Sequence, residues 1–177
     1  MKTSIALIGF MGTGKTVIGR VLAEKLRREF VELDSLIEQR AGRSIPEIFR
    51  QDGEVRFREL EIEVTREVAG KKNAVIACGG GIVLNKINID RLKKGCIIVY
   101  LTASPGVILR RTAGDASVRP VLEASDKARH IKELLRFREP FYERAADIKI
   151  NTSKLGISSV AEQIIERVKE HDSLNRR

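Results

Sequence analysis

Gly9-Phe10-Met11-Gly12-Thr13-Gly14-Lys15-Thr16 decides how this chain is read. The eight residues match G-x-x-x-x-G-K-[ST] in full, and their context agrees. The apolar run Ser4–Ile8 precedes them as a buried strand, and Val17, Ile18, Val21, Leu22 and Leu26 follow at helical spacing over Lys15–Glu29. Glycines let backbone N–H groups curl around phosphate oxygens without Cβ clashes, and a helix opening near Lys15 adds the positive end of its dipole. Lys15 supplies a full charge to β- and γ-phosphates, and the Thr16 hydroxyl is placed to ligate Mg²⁺. A Gly-rich turn that binds nothing is the bland alternative, but the full pattern in this context is rarely accidental. The loop specifies a nucleoside triphosphate and leaves the acceptor open.

Outward from that loop, strands and helices alternate. Short apolar runs at Val31–Leu33, Asn73–Cys78, Cys96–Leu101 and Asp147–Asn151 predict four more strands. Helices are expected from Ser44, where Ser44, Pro46 and Glu47 form a start signal, and over Glu54–Ala69, Ser104–Arg111, Ser125–Arg138 and Ser158–His171. Ala113–Ala124 contains Gly114 and Pro120 without clear periodicity and reads as a loop. Continuous apolar strands separated by helices belong to a parallel sheet covered on both faces, so an α/β fold is expected.

Length and composition bound the rest. At roughly 150 residues per domain, 177 residues predict one domain spanning 1–177. Hydrophobic residues at 42% and charged residues at 32% exclude a disordered chain. Lys and Arg number 33 against 24 Asp and Glu, and this net charge of +9 points to anionic partners. Only two cysteines, Cys78 and Cys96, argue for a reducing cytoplasm and against a disulfide framework. The longest uncharged stretch, Gly95–Leu109, is 15 residues and too short for a membrane span. The chain is too short for a motor or a switch GTPase and has no N-K-x-D-like guanine-reading run, so a small kinase is the natural reading.

Four features bear on the acceptor. Glu32 and Asp34, two apart at a strand end, would face the same side. They could organise Mg²⁺ through water and take a proton from an attacking hydroxyl, or be solvent-facing acids. Gly79-Gly80-Gly81 allows close approach of backbone to a ligand, or forms a flexible turn. Arg58, Arg119 and Arg138 are candidate anion contacts, each read singly as a surface arginine. In the segment 113–124, Gly114 could act as a hinge that delivers Arg119.

Taken together these residues resemble the shikimate kinase family over nearly the whole chain. Phe30-Val31-Glu32-Leu33-Asp34 stands where the family has a two-aspartate D-x-D run. Gly53-Glu54, Phe57-Arg58 and Glu61 resemble its G-E…F-R…E helix. Ala77-Cys78-Gly79-Gly80-Gly81 resembles its glycine triplet, Arg110-Arg111-Thr112 with Arg119-Pro120 its lid and flank, and Arg138-Glu139-Pro140-Phe141-Tyr142 its R-x-P-x-Y. The resemblance implies a P-loop NTPase fold of three α/β/α layers, with a five-stranded parallel sheet in order 2-3-1-4-5. It implies transfer of the ATP γ-phosphoryl to the 3-hydroxyl of shikimate, giving shikimate 3-phosphate and ADP, in aromatic amino-acid (chorismate) biosynthesis.

The same resemblance implies residue roles. Lys15, Asp34 and Arg119 would be catalytic, with Asp34 as the base near the acceptor oxygen and Arg119 brought in by a lid over about 113–124. Gly12, Thr13, Gly14, Lys15, Thr16, Val17, Arg111, Arg119, Asn151, Thr152 and Ser153 would bind ATP, Arg111 stacking on adenine. Asp34, Phe49, Phe57, Arg58, Gly79, Gly80, Gly81 and Arg138 would hold shikimate, in a region centred on about 33–61. Thr16 and, through water, Glu32 would hold Mg²⁺. Glu32 departs from the family aspartate by one methylene, which octahedral Mg²⁺ tolerates poorly. A cytoplasmic monomer acting on ATP and shikimate, with no nucleic acid or membrane partner, is expected. The nearest rival is another small-molecule kinase of this fold, such as a gluconate kinase, since gluconate also carries a carboxylate and hydroxyls. A nucleic-acid-binding protein would suit the charge, but 5% aromatic residues offer few stacking platforms. A non-catalytic kinase-like module would have no use for Lys15, Asp34 and Arg119 together.

Overall fold

Five strands form one parallel sheet in the order β2-β3-β1-β4-β5. In this computed structural model, which describes residues 2–113 and 124–174, the strands are β1 Ser4–Ile8, β2 Glu29–Glu32, β3 Ala74–Ala77, β4 Cys96–Thr102 and β5 Ile148–Asn151. The helices are α1 Lys15–Leu26, α2 Leu33–Ala41, α3 Ile45–Val68, α4 Lys86–Gly95, α5 Pro105–Arg111, α6 Ala124–Ala145 and α7 Ile157–Leu174, with a 3-10 turn at Ile82–Leu84. The sheet order is the one the family resemblance implied.

Side chains alternate across the strands and build two cores. Ile5, Leu7, Val75, Ile97 and Val99 face Leu22 of α1 and Val160 and Ile164 of α7. Ala6, Ile8, Ile76, Ile98 and Tyr100 face Ile37, Leu60, Val64, Leu92 and Tyr142 on α2, α3, α4 and α6. Because both faces are covered, the strands read as unbroken apolar runs. β1 is central, in register with β3 (Leu7 with Ala77) and β4 (Leu7 with Val99). The loop after β1 and the glycines after β3 therefore leave the same carboxyl edge side by side, where α/β folds of this kind bind ligands.

Several boundaries differ from the sequence expectations. β2 ends at Glu32, and Leu33-Asp34 open α2, which the sequence did not announce. Glu32 and Asp34 are consequently not two residues of one strand; Asp34 sits on the first turn of a helix. α1 stops at Leu26, with Arg27 left-handed at φ 52° as its C-cap, and not at Glu29. The capping box at Ser44 is present: the Ser44 N–H donates to Glu47 Oε2 at 2.8 Å and the Glu47 N–H to Ser44 Oγ at 3.4 Å. From there α3 runs through to Val68, interrupted only at Gly53, whose φ of 80° breaks the helical path. α4, polar overall, was also unannounced. α6 continues past Pro140 to Ala145, because burial of Tyr142 and Ala145 against the sheet outweighs the one donor proline removes. Among the described residues no helix is long and apolar enough to cross a membrane.

The seating of α1 on the sheet depends on Gly19, where an added Cβ would lie 2.7 Å from the Phe30 ring and 3.3 Å from Leu7. Gly19→Val should destabilise the protein by roughly 1–3 kcal/mol through overpacking. Gly106→Ala, with nothing within 4 Å of the added methyl, should be neutral or slightly stabilising. Thermal unfolding of the two variants beside the parent checks both; an unchanged midpoint for Gly19→Val would mean the helix rides loosely on the sheet.

Candidate active site

The phosphate-binding loop is built by close approach of backbone to backbone. Gly9 lies at φ 147°, and a Cβ there would stand 2.3 Å from the Leu101 carbonyl oxygen, so only glycine lets the chain leave β1 alongside β4. At the end of the loop Lys15 turns back, its Nζ donating to the carbonyls of Gly9 at 2.8 Å and Phe10 at 2.9 Å. Burial lowers the Lys15 pKa from 10.5 to about 8, against the opposing pull of the nearby Asp34 carboxylate. Such an ammonium, short of solvent, gains from an anion. Thr16, one residue on, donates its hydroxyl to Glu32 Oε1 at 2.6 Å. Ser35 Oγ donates to Glu32 Oε2 at 3.2 Å, and Arg20 reaches the same oxygen at 3.4 Å. Glu32 is thus held beside Thr16 by three residues in spite of its longer side chain.

The expected nucleotide-base residues meet on the opposite flank of the loop. Arg111, in the last turn of α5, donates to Gly12 O at 3.1 Å, Thr152 Oγ1 at 3.1 Å and Thr152 O at 3.0 Å. Thr152 Oγ1 lies 3.0 Å from Thr13 O, joining the loop after β5 to the phosphate-binding loop. The Asn151 side chain accepts from Ser153 N–H at 2.8 Å, and Ser153 Oγ accepts from Ser104 N–H at 2.9 Å. Val17 is solvent-exposed on α1. Arg119 and residues 114–123 of the expected lid lie outside the described residues.

On the other side of Lys15 a cavity of about 340 Å³ opens, lined in part by Lys15, Thr16, Glu32, Asp34, Gly79 and Gly80. Asp34 Oδ1 is buried there without a hydrogen-bond partner. Burial raises the Asp34 pKa above its usual 3.8, opposed by Lys15. The glycine triplet makes room for the charged groups: a Cβ on Gly79 would lie 2.8 Å from Asp34 Oδ1, and one on Gly81 2.4 Å from the Arg58 guanidinium. Arg58 NH1 donates to both oxygens of the fully buried Glu61, at 2.9 and 3.1 Å, and NH2 reaches Glu54 at 3.2 Å. Arg138 sits with its guanidinium 5.7 Å from the centre of the Phe10 ring, and its Nε is buried with no partner. Phe57 is buried and its ring packs, tilted by 36°, against the more exposed Phe49 with centroids 4.7 Å apart.

Two residues of this site received no role from the sequence. Glu61, whose carboxyl is pushed up by burial and held down by Arg58, fixes one arginine; its i,i+3 spacing from Arg58 was the available signal. Tyr142, one turn after Arg138, donates its hydroxyl to the Gly80 carbonyl and stacks on Tyr100 at 4.9 Å. Nothing local in the sequence points a tyrosine of α6 at a glycine 62 residues earlier.

Comparisons with known proteins agree with this arrangement. A model of the shikimate kinase family matches residues 11–169. The shikimate kinase of Pelotomaculum thermopropionicum is 44% identical over 169 residues, covering 96% of this chain and 97% of that protein. That of Thermodesulfovibrio yellowstonii is 46% identical over 172 residues, covering 97% and 96%. Among solved structures, shikimate kinase from Acinetobacter baumannii in complex with shikimate superposes with a TM-score of 0.89 at 37% identity, covering 96% of this chain and 94% of that one. These matches favour shikimate kinase over gluconate kinase. Running at such identity along almost the full length, they establish that the chain belongs to the shikimate kinase family, ATP-using kinases that transfer a phosphoryl group to a hydroxyl.

Proposed function

We propose that the cleft transfers the γ-phosphoryl of ATP to the 3-hydroxyl of shikimate, with one domain, residues 1–177, carrying both substrate sites and acting as a monomer. The observation that carries this reading is the unpartnered, buried Asp34 Oδ1 in the same cavity as Lys15. A carboxylate with no internal acceptor duty, and with its pKa raised, suits a base that takes a hydroxyl proton. As the hydroxyl oxygen bonds to the γ-phosphorus, its proton passes to Asp34 and ADP leaves. Arg58 and Arg138 bind the acceptor carboxylate, for which guanidinium forks are suited. Arg138 Nε is the unpartnered donor of the two, whereas Arg58 is already fixed by Glu61. Phe49 and Phe57 supply an apolar wall for the ring. Lys15 holds the β- and γ-phosphates, and Arg111 with Asn151, Thr152 and Ser153 surrounds the base. Arg119 keeps the role implied by the family resemblance, neutralising charge on the transferring phosphoryl. Two buried free thiols, Cys78 and Cys96, suit a reducing cytoplasm.

The donor set beside the loop fits Mg²⁺. Thr16 Oγ1 and Glu32 Oε1 are hard oxygens held 2.6 Å apart. Among the described residues no cluster of three or more His, Cys, Asp or Glu could hold a metal by itself. Mg²⁺ in such a site would be held largely by phosphates and water, with few protein ligands. Thr16 would ligate it and Glu32 would hold its water; when bound, Mg²⁺ would neutralise charge on the β- and γ-phosphates.

The deciding experiment is ATP-dependent phosphorylation by the purified protein of shikimate, gluconate and a nucleoside monophosphate in parallel. Turnover should be confined to shikimate; faster turnover of gluconate would overturn the reading. Lys15→Ala should lower kcat by roughly 10²–10³ without loss of fold, and near-normal activity by steady-state assay would remove the loop from the mechanism.

The pH profile tests Asp34. A base must be deprotonated, so kcat/KM should fall as pH drops through the Asp34 pKa. Because burial raises that pKa, the midpoint of the acid limb should lie above 3.8. Asp34→Asn should reduce kcat by roughly 10²–10⁴ at pH values above the acid limb, and a variant that kept both its rate and its acid limb would acquit Asp34.

Acceptor binding is read from KM. Arg138→Ala should raise the shikimate KM by about 10–150-fold, the equivalent of losing a charge-assisted hydrogen bond, with the ATP KM little changed. Gly81→Ala should do the same by driving a methyl into Arg58. A selective loss of ATP affinity would show that these residues serve the nucleotide.

A further inference from the structure

A second pocket, of about 240 Å³, lies outside the cleft between the turn Ile82–Leu84, α4 and α6. Its floor is apolar, made by Val83, Ile89, Phe141 and Ala145. Its rim is cationic. The Arg144 guanidinium lies over the Phe141 ring, 5.4 Å from its centre, and Lys93 Nζ donates to the Arg144 carbonyl at 3.2 Å. Neither cation has a carboxylate partner among the described residues. The one acid at the rim, Asp90, is already paired with Lys86 at 2.5 Å. Apolar floor and unpaired cations together define a ligand chemistry. A neutral apolar molecule would leave the cations unanswered, and a polyanion would press charge against the floor and against Asp90. The volume falls below the roughly 300–1,000 Å³ of sites for larger ligands, which limits the occupant to about one ring.

We propose that this pocket is a second binding site, for a small monocarboxylate bearing one flat apolar ring, and that its occupancy is coupled to the acceptor pocket. The walls carry the coupling. The turn Ile82–Leu84 is tied to the glycine triplet, Ile82 N–H donating to Gly79 O at 3.2 Å and Leu84 N–H to Gly81 O at 3.0 Å. α6 carries Arg138 one turn before Phe141, and its Tyr142 donates to Gly80 O. A ligand seated between turn and helix therefore bears on both elements that shape the acceptor side. The coupling rests on the acceptor reading proposed above; the binding does not.

The probe is 4-fluorobenzoate, titrated by ¹⁹F NMR into the full-length protein saturated with shikimate, so that the arginines of the cleft are occupied. Saturable binding is expected. It should weaken at least about tenfold in the double variant Lys93→Glu, Arg144→Glu, and the neutral 4-fluorobenzamide should bind weaker by a similar factor, as loss of charge-assisted contacts implies. Both substituted residues are exposed, and an unchanged unfolding midpoint verifies the variant's fold. Absence of saturable binding, displacement by shikimate, equal affinity of the double variant, or equal affinity for the amide would each overturn the site. For the coupling, saturating benzoate should change the shikimate KM at least about twofold in the parent with the ATP KM unchanged, and should change neither KM in the double variant. An unchanged shikimate KM with binding intact overturns the coupling. Lack of shikimate turnover without benzoate would instead overturn the proposed function, while the titration is still read against the double variant and the amide.

Discussion

A half-buried lysine and a half-buried aspartate share one edge of this sheet, and much of the molecule is arranged around keeping both. Lys15 and Asp34 each lose solvent, which pulls the lysine pKa down to about 8 and pushes the aspartate up. Each also opposes the other's shift, so neither would be as tolerable alone. The pair exists because α1 begins at Lys15 directly after the β1 loop, and α2 begins one residue before Asp34 directly after β2. With β3 between β2 and β1 in the sheet, the two helix starts look across the end of β3. The chain that leaves β3 must therefore be nearly free of side chains.

That requirement explains the glycine triplet better than flexibility does. Gly79 and Gly81 lie where a methyl would enter Asp34 and Arg58 respectively. Their backbone also serves structure, since the carbonyls of Gly79, Gly80 and Gly81 accept from Ile82, Tyr142 and Leu84. A segment hydrogen-bonded at three successive carbonyls is a rigid floor. The proposed acceptor side is consequently made of stiff backbone and two long arginines. One arginine is pinned by a fully buried glutamate, and the other lies against Phe10 with its Nε unpaired. The same rigidity makes the turn Ile82–Leu84 a mechanical link between the cleft and the second pocket behind it.

What the residues determined by themselves was the fold class, the nucleotide loop and the roster of charged groups. A phosphate-binding loop between an apolar run and an amphipathic helix is a local pattern. So is the capping box at Ser44, and so are the continuous strands that demand cover on both faces. These depend on consecutive residues, and the structure repeats them closely. The proposed acceptor residues Asp34, Arg58, Gly80 and Arg138 are far apart in sequence; the chain offered each as a candidate, and only the resemblance to a family joined them into one site. The tertiary structure decided the rest. It ended β2 at Glu32 and put Asp34 on a helix, since Leu33 and Ile37 bury in the core on helical spacing. It carried α6 through Pro140, because Tyr142 and Ala145 have places on the sheet. It gave Glu61 and Tyr142 their partners, and it shaped a cation-rimmed pocket from a turn and two helices. None of these is a property of a short window of residues. Burial, desolvation and hydrogen bonds across 62 residues of chain, as between Tyr142 and Gly80, exist only once the sheet has brought its carboxyl ends together.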